Sequence, residues 1–504
     1  MSQTVDRRTF LRRSAAATGG GLLSAVALER LTNRQASAAA GNQAKASIAG
    51  ESYGPLSPKP DQRGEQVLSL PEGFSYVTFG HIGSQMSDGN RTPIALDGMA
   101  AFAGPGGLVR LIRNHEDRNA PGAGTVGGEP RKKYDPKAGA GTTTLDYDPS
   151  TRQLRQDFVS LNGTAVNCAG GIGYKERSWI TCEETVAGPN HTNPAMRFPE
   201  RHGYCYEVPV ERGPDELRRA RPIRAMGRFS HEAIAVDQRT GVVYLTEDPG
   251  TGQGAGFYRY LPDNPNRLRH GGKLQMLGIR GRSQVDTRKG QTVGDSMSVA
   301  WHDIDFPDPE YETNNDPESV FNQGYKKGGA LFNRLEGCWY DEGSIFFVST
   351  SGGDAENGDV NSDGYREGFG QVWEFRARTR NAGLLSLVFE SPSGGVLDSP
   401  DNLTVTPRGG LILCEDDASS DSDMNPQAPG IEDVNRLIGL TPDGDAFEFA
   451  VNRFNDAELA GACFSPDGTT LFVNIFGGST GTIDSLAGQG MTCAITGPWD
   501  QGPL

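Results

Sequence analysis

Residues 231–248 read HEAIAVDQRTGVVYLTED. Two polar residues, His231 and Glu232, open an apolar run. A polar turn follows, and a second apolar run ends on the acids Glu247 and Asp248. Apolar runs of strand length around a Gly-containing turn predict a β-hairpin. In an antiparallel hairpin, the start of the first strand and the end of the second lie at the same end of the sheet. The pattern returns at residues 97–116 (DGMAAFAGPGGLVRLIRNHE), 168–184 (CAGGIGYKERSWITCEE) and 336–354 (EGCWYDEGSIFFVSTSGGD). It returns again at residues 401–416 (DNLTVTPRGGLILCED) and 461–474 (GACFSPDGTTLFVN). Arranged radially, such hairpins gather their polar ends around one axis. The prediction is an all-β fold: a six-bladed β-propeller with a ring of carboxylates at one mouth and long loops over that face.

The 504-residue chain gives each repeat about 65 to 70 residues, enough for four strands and long loops. A propeller closes only as a whole, so residues 67–504 are expected to form a single domain. The segment LPEGFSYVTFG at 70–80 is expected to supply a strand that closes the ring with the last repeat. Gly/Pro-rich stretches at 118–141, 186–203, 262–299 and 302–330 are expected as loops. Residues 39–66 are small, polar and Pro-containing, and are expected as a linker.

Residues 6–12, DRRTFLR, form a twin-arginine motif. It precedes a weakly apolar run and the small-residue site Ala36-Ser37-Ala38, so residues 1–38 are expected to be an export signal. This predicts a periplasmic or extracellular protein that engages the twin-arginine export machinery. Removing residues 1–38, with six Arg and two acids, leaves 42 basic and 62 acidic side chains, a net charge of −20. Such a surface repels nucleic acid and anionic lipid, and no stable membrane insertion is expected.

Carboxylates crowd into a partly dehydrated mouth only when protonated or bound to cations. Hard oxygen ligands suit Ca2+, Mg2+, Mn2+ or Fe(III). Cys168 opens a repeat, so a thiolate joins the ring and favours a metal such as iron. The other six cysteines, mostly inside apolar strands, read as small core residues. The alternative for any single acid is a solvated turn residue. Asp359-x-Asn361-x-Asp363-Gly364 resembles the opening of a calcium loop, with an Asx-rich turn as the alternative. The absence of HExxH, HxH and CxxC argues against zinc.

The ordered set LPEGF, DGMAAF, RNHE, NCAGG…WITCEE, GRFSHEA…VVYLTED, RLEG, SPDNL and ELAGACFSPDGTTLFVN resembles the PhoX-type alkaline phosphatases from about residue 70 to 480. The resemblance implies a propeller enzyme, exported by the twin-arginine route, that hydrolyses small phosphate monoesters with Fe(III) and Ca2+ in one cluster. It implies Cys168 as the thiolate ligand, and Glu116, Glu183, Glu184, Glu232, Asp248 and Glu336 as carboxylate ligands. Either member of an acidic pair could bind. Arg334, two residues before Glu336, would hold the substrate phosphate, with Asn167 and Asn402 as second contacts. The chain departs from the family after FVN, where IFGGSTGTIDS replaces a Gln-His-Pro-Gly segment, and after Cys168, where Thr-Pro-Trp-Gly is missing. It looks like a shorter, divergent branch. The rival readings are a calcium-dependent, lactonase-like propeller hydrolase and a non-catalytic binding propeller.

Overall fold

The computed structural model describes residues 52–504 apart from 356–357 and 418–424. The expected export signal lies outside the described residues. The fold is all-β with a propeller-like arrangement of four smaller sheets and one nine-stranded sheet. Each predicted hairpin supplies the first two strands of a sheet or of an end of the large sheet. Leu96–Ala103 and Val109–His115 continue into Ala140–Asp148 and Gln153–Thr164. Asn167–Ile172, Ser178–Glu183 and Cys205–Pro209 form a three-stranded sheet. His231–Val236 and Val243–Glu247 begin the large sheet, and Ser344–Ser349 and Leu335–Asp341 end it. Its two halves meet where Ser296–Asp303 pairs with Ala382–Glu390.

Pro400–Val405 and Leu411–Glu415 lead a sheet that Leu68–Pro71 and Leu56–Lys59 extend at the far edge. Leu459–Phe464, Thr470–Ile475 and Met491–Thr496 are completed by Ser75–Phe79. That pairing fastens the two ends of the described chain, as expected for segment 70–80. Ser75–Phe79 thereby becomes the outer strand of that sheet. Part of the segment read as a linker is structured. Residues 56–59 form a strand, and Tyr53 packs edge-on against Phe74, Phe449 and Trp499. Segment 262–299 is likewise more than a loop. It contains the strand Gly272–Ile279, which seven of its eight residues suit by being apolar or uncharged. Segment 302–330 carries the short helix Val320–Tyr325, capped by the Ser319 side chain. Among the described residues no helix is long and apolar enough to cross a membrane.

The leading strands pack side by side in a closed ring. Leu96–Ala103 touches Asn167–Ile172, then His231–Val236, Leu335–Asp341, Pro400–Val405 and Leu459–Phe464 follow, and the last touches the first. Small residues make this approach possible. A Cβ on Gly98 would sit 2.5 Å from Ala169 Cα, and one on Gly337 would sit 2.7 Å from the Asp401 carbonyl. At its narrowest the axial space between the strands is only about 20 Å3, and at the opposite end of the ring the same strands line a second cavity of about 580 Å3. Trp339 stands beside it and packs against three separate apolar cores. The ring is therefore closed at its middle, which holds the hairpin ends at fixed separations.

Candidate metal centre

Every leading hairpin carries an irregularity at the same place. Pairing breaks between Leu96 and Met99, Asn167 and Gly170, His231 and Ile234, Leu335 and Cys338, Pro400 and Leu403, and Ala460 and Cys463. A bulge inserts an unpaired residue and re-aims its side chain. The first residues released are Asp97, Cys168, Glu232, Glu336, Asp401 and Gly461. Two positions upstream, Ala95, Val166, Arg334 and Ser399 adopt φ of 56°, 50°, 40° and 43°. Left-handed backbone at non-Gly residues is costly and recurs at functional sites. Its recurrence beside four of the released residues marks a shared local geometry.

The returning strands resolve the acidic pairs. Glu184 N–H donates to Val166 O, Asp248 N–H to Ser230 O and Asp416 N–H to Ser399 O, extending each hairpin by one bond. Side chains alternate along a strand, so the two members of a pair face opposite ways. Glu184, Asp248 and Asp416 turn towards the axis. Glu183, Glu247 and Glu415 turn into the protein. Glu183 accepts from His202 Nδ1 at 2.6 Å and from the Ala165, Gly203 and Tyr204 amides at 2.9, 2.9 and 3.1 Å. Glu247 accepts from Tyr258 Oη at 2.6 Å and Asn314 Nδ2 at 2.9 Å. Glu415 accepts from Arg436 Nε at 2.7 Å. Glu183 was expected as a possible ligand, but these bonds hold it as a brace between the hairpin and its neighbouring loop.

The inward groups converge. Asp97, Glu116 and Cys168 place ligand atoms within 4.8 Å of one another, as do Cys168, Glu184 and Glu232. So do Glu232, Glu336 and Asp401, and then Asp401, Asp416 and Glu458. The chain of shared members makes one continuous cluster, and all of it except Asp97 and Glu232 lines a cavity of about 570 Å3. Burial, then neighbouring carboxylates, push Asp97, Glu232, Glu336 and Glu458 well above the ordinary carboxylate range. Burial and Asp416 lift Asp401 to about 8. Burial, Asp97 and Glu232 likewise raise the Cys168 thiol. Without cations this cluster is forced to hold protons. Both carboxylate oxygens of Glu232 are buried with no hydrogen-bond partner. A buried carboxylate without donors is costly, and a cation among these oxygens and the thiol satisfies it. The residues present therefore fit metal ions.

Two guanidinium groups line the same cavity. Arg334 Nη2 lies 2.9 Å from Asp248 Oδ2 and 3.1 Å from Glu336 Oε1. Arg118 contacts both Glu116 and Glu184. Burial disfavours the Asp248 charge, but Arg334 outweighs it and holds this carboxyl below its usual range. Strand alternation predicts a common face for Arg334 and Glu336. The strand starts only at Leu335, and the left-handed turn at Arg334 brings the two together instead.

The two asparagines stay in the scaffold. Asn167 accepts from Thr164 Oγ1 at 2.5 Å and donates to Thr181 Oγ1 at 2.8 Å. Asn402 donates to Asp401 and accepts from the Gly461 amide at 2.5 Å. Neither lines the cavity, so neither is placed as a substrate contact; Asn402 orients Asp401. Asp97, Asp401, Asp416, Glu458 and Arg118 are additional to the ligand and substrate groups expected from sequence. The first three occupy repeat positions equivalent to expected ligands, so the repeat carried their signal. Glu458 and Arg118 lie outside the repeat and had none. In the calcium-type loop, Asp363 pairs with Arg288, which already supplies a cation.

A propeller-like all-β scaffold with carboxylates, a thiol and two arginines at one mouth defines a candidate metallohydrolase of anionic substrates. A family model described as alkaline phosphatase PhoX matches residues 51–478. The chain belongs to the PhoX alkaline phosphatase family and is a phosphatase. Among solved structures, Pseudomonas fluorescens PhoX in complex with vanadate, a transition state analogue, is similar with a TM-score of 0.62 and 17% identity. The match covers 91% of this chain and 99% of that one. The Pseudomonas aeruginosa periplasmic gluconolactonase PpgL matches with a TM-score of 0.32 and 10% identity, over 80% of this chain and 96% of that one. That likeness is too low to bear on function. No curated protein matches the chain.

Proposed function

We propose that the chain is an exported, six-bladed, metal-dependent phosphomonoesterase whose cavity holds Fe(III) and Ca2+ in one cluster. The blade count treats the nine-stranded sheet as two blades joined at their outer strands, which the ring of leading strands supports. The twin-arginine motif supports export to the periplasm or beyond, after removal of residues 1–38 and with residues 67–504 as the catalytic unit. The observation that carries the metal reading is the cluster of eight carboxylates and one thiol, with Glu232 unpartnered at its centre.

Cys168 would bind iron, joined by Asp97, Glu116, Glu184, Glu232, Asp248 and Glu336, while Asp401, Asp416 and Glu458 would extend the set towards calcium. When bound, such ions neutralise phosphoryl charge and act as Lewis acids. The chain's own groups do the rest. Arg334 donates a guanidinium fork to the phosphate oxygens, and the charge-assisted bonds strengthen as negative charge develops on them. Arg118, on the same cavity, balances Glu116 and Glu184. Asn402 holds Asp401, and Glu183 holds the loop behind Glu184.

The test is hydrolysis of an aryl phosphate by protein loaded with iron and calcium, alongside elemental analysis. Both metals and turnover inhibited by vanadate are expected. A folded, active protein containing only zinc, or a metal-loaded protein without phosphomonoesterase activity, would overturn the reading.

A further inference from the structure

Cys182 and Cys205 face each other across two adjacent strands of the three-stranded sheet. Their sulfurs are 3.6 Å apart, and both residues are fully buried. The backbone sets this approach. Glu183 N–H donates to Tyr204 O, so that neighbouring couple is the hydrogen-bonded one. The Cys205 carbonyl accepts from the Ile223 amide. Cys182 and Cys205 therefore occupy a non-hydrogen-bonded site, where antiparallel strands bring side chains closest. The other strand cysteines lack this arrangement. Cys338, Cys414, Cys463 and Cys493 lie opposite Phe347, Leu437, Phe472 and Val473.

We propose that Cys182 and Cys205 form an oxidisable dithiol at which a peroxide closes a cross-strand disulfide beneath the cluster residue Glu184. The inference is independent of the phosphatase chemistry. The sulfur of one cysteine attacks a peroxide oxygen, the O–O bond breaks, and the departing hydroxide leaves as water with the thiol proton. The second sulfur attacks the resulting sulfenic sulfur, the S–O bond breaks, and a second water leaves with the second proton. Two thiols are oxidised, one peroxide is reduced, and one S–S bond forms. The sulfurs approach by only about 1.5 Å to reach bonding distance. The bond encloses residues 183–204, the loop that carries Glu184 and packs on Glu183 through His202. It constrains the unfolded chain at a single loop and ties down the strand behind the cluster.

Wild-type, metal-loaded protein exposed to a hydrogen peroxide series is unfolded with one alkylating reagent, then reduced and treated with a second. The peptides bearing Cys182 and Cys205 are expected to acquire the second label together. The intact mass before alkylation is expected to fall by about 2 Da, the two hydrogens lost in disulfide formation. Both peptides carrying only the first label across the series, or either thiol gaining oxygen instead, would overturn the proposal. In Cys205→Ala the Cys182 peptide is expected to carry the first label only. A second label there would place its partner elsewhere and equally overturn it. The mapping on wild type decides the matter even where the variant folds poorly.

Discussion

Arg334 Nη2 sits 2.9 Å from Asp248 Oδ2, so a guanidinium that lines the cavity clasps a carboxylate from the preceding repeat. The same Nη2 reaches Glu336 at 3.1 Å. Under the proposed function, bound metal ions would compete for both carboxylates and leave the fork free to meet a phosphate. Losing such a contact to developing phosphoryl charge costs about 2–4 kcal/mol in the transition state. Arg334→Ala is expected to lower kcat/KM for an aryl phosphate by roughly 100- to 1000-fold with metal content retained. Steady-state kinetics with elemental analysis check this, and an unchanged rate would remove Arg334 from the substrate site.

Glu183 and Glu184 are neighbours with opposite surroundings. Glu184→Gln is expected to lower metal content and activity together while the fold persists. Glu183→Gln is expected to retain metal but lose about 1–3 kcal/mol of stability, because His202 and three backbone amides lose a charged acceptor. Metal analysis and thermal melts of the two variants separate the roles. Metal loss in Glu183→Gln with an intact melt would reverse the assignment.

Stability of the cation-free protein should depend on pH in a defined direction. Asp401 titrates at 3.8 in the reference state and is lifted to about 8 by burial and then by Asp416. Its folded carboxyl holds a proton that the unfolded one has released. The stabilising contribution is complete below about pH 4 and is lost as pH rises through about 8. Chelated protein is expected to show a Tm that falls across this window, and iron with calcium should restore it at the alkaline end. A flat profile in chelated protein would mean that the buried carboxylates are neutralised some other way.

Cys168 and Cys338 are both buried, yet only Cys168 reaches the cluster. Cys168→Ala is expected to abolish iron binding and activity. Cys338→Ala should keep iron and lose about 1 kcal/mol through a small void, the scale of other single-group truncations in a core. Iron stoichiometry and denaturant melts distinguish them. A thiol reagent that labels Cys168 in active, metal-loaded protein would exclude it as a ligand.

Much of this architecture is legible in residues 231–248 and their five counterparts. Alternating apolar runs, Gly-containing turns and polar ends specify hairpins, and their repetition specifies a radial arrangement. The repeat positions also point to Cys168, Glu232 and Glu336, because equivalent places in equivalent hairpins face one axis. The sequence alone left open which acid of Glu183–Glu184 or Glu247–Asp248 faces inward. A one-residue shift of register exchanges the two faces of a strand, and the decisive bulges are set by the exact register within each hairpin. The family resemblance suggested Asn167 and Asn402 as second substrate contacts; in the structure Asn167 bonds to Thr164 and Thr181, and Asn402 accepts from the Gly461 amide. Glu458 and Arg118 join the cavity by long-range packing that no local pattern encodes. Sequence periodicity thus determined the hairpins and their polar ends, strand register decided which acid of each pair faces inward, and ring closure, through contacts between strands remote in the chain, gathered the inward groups into one cluster.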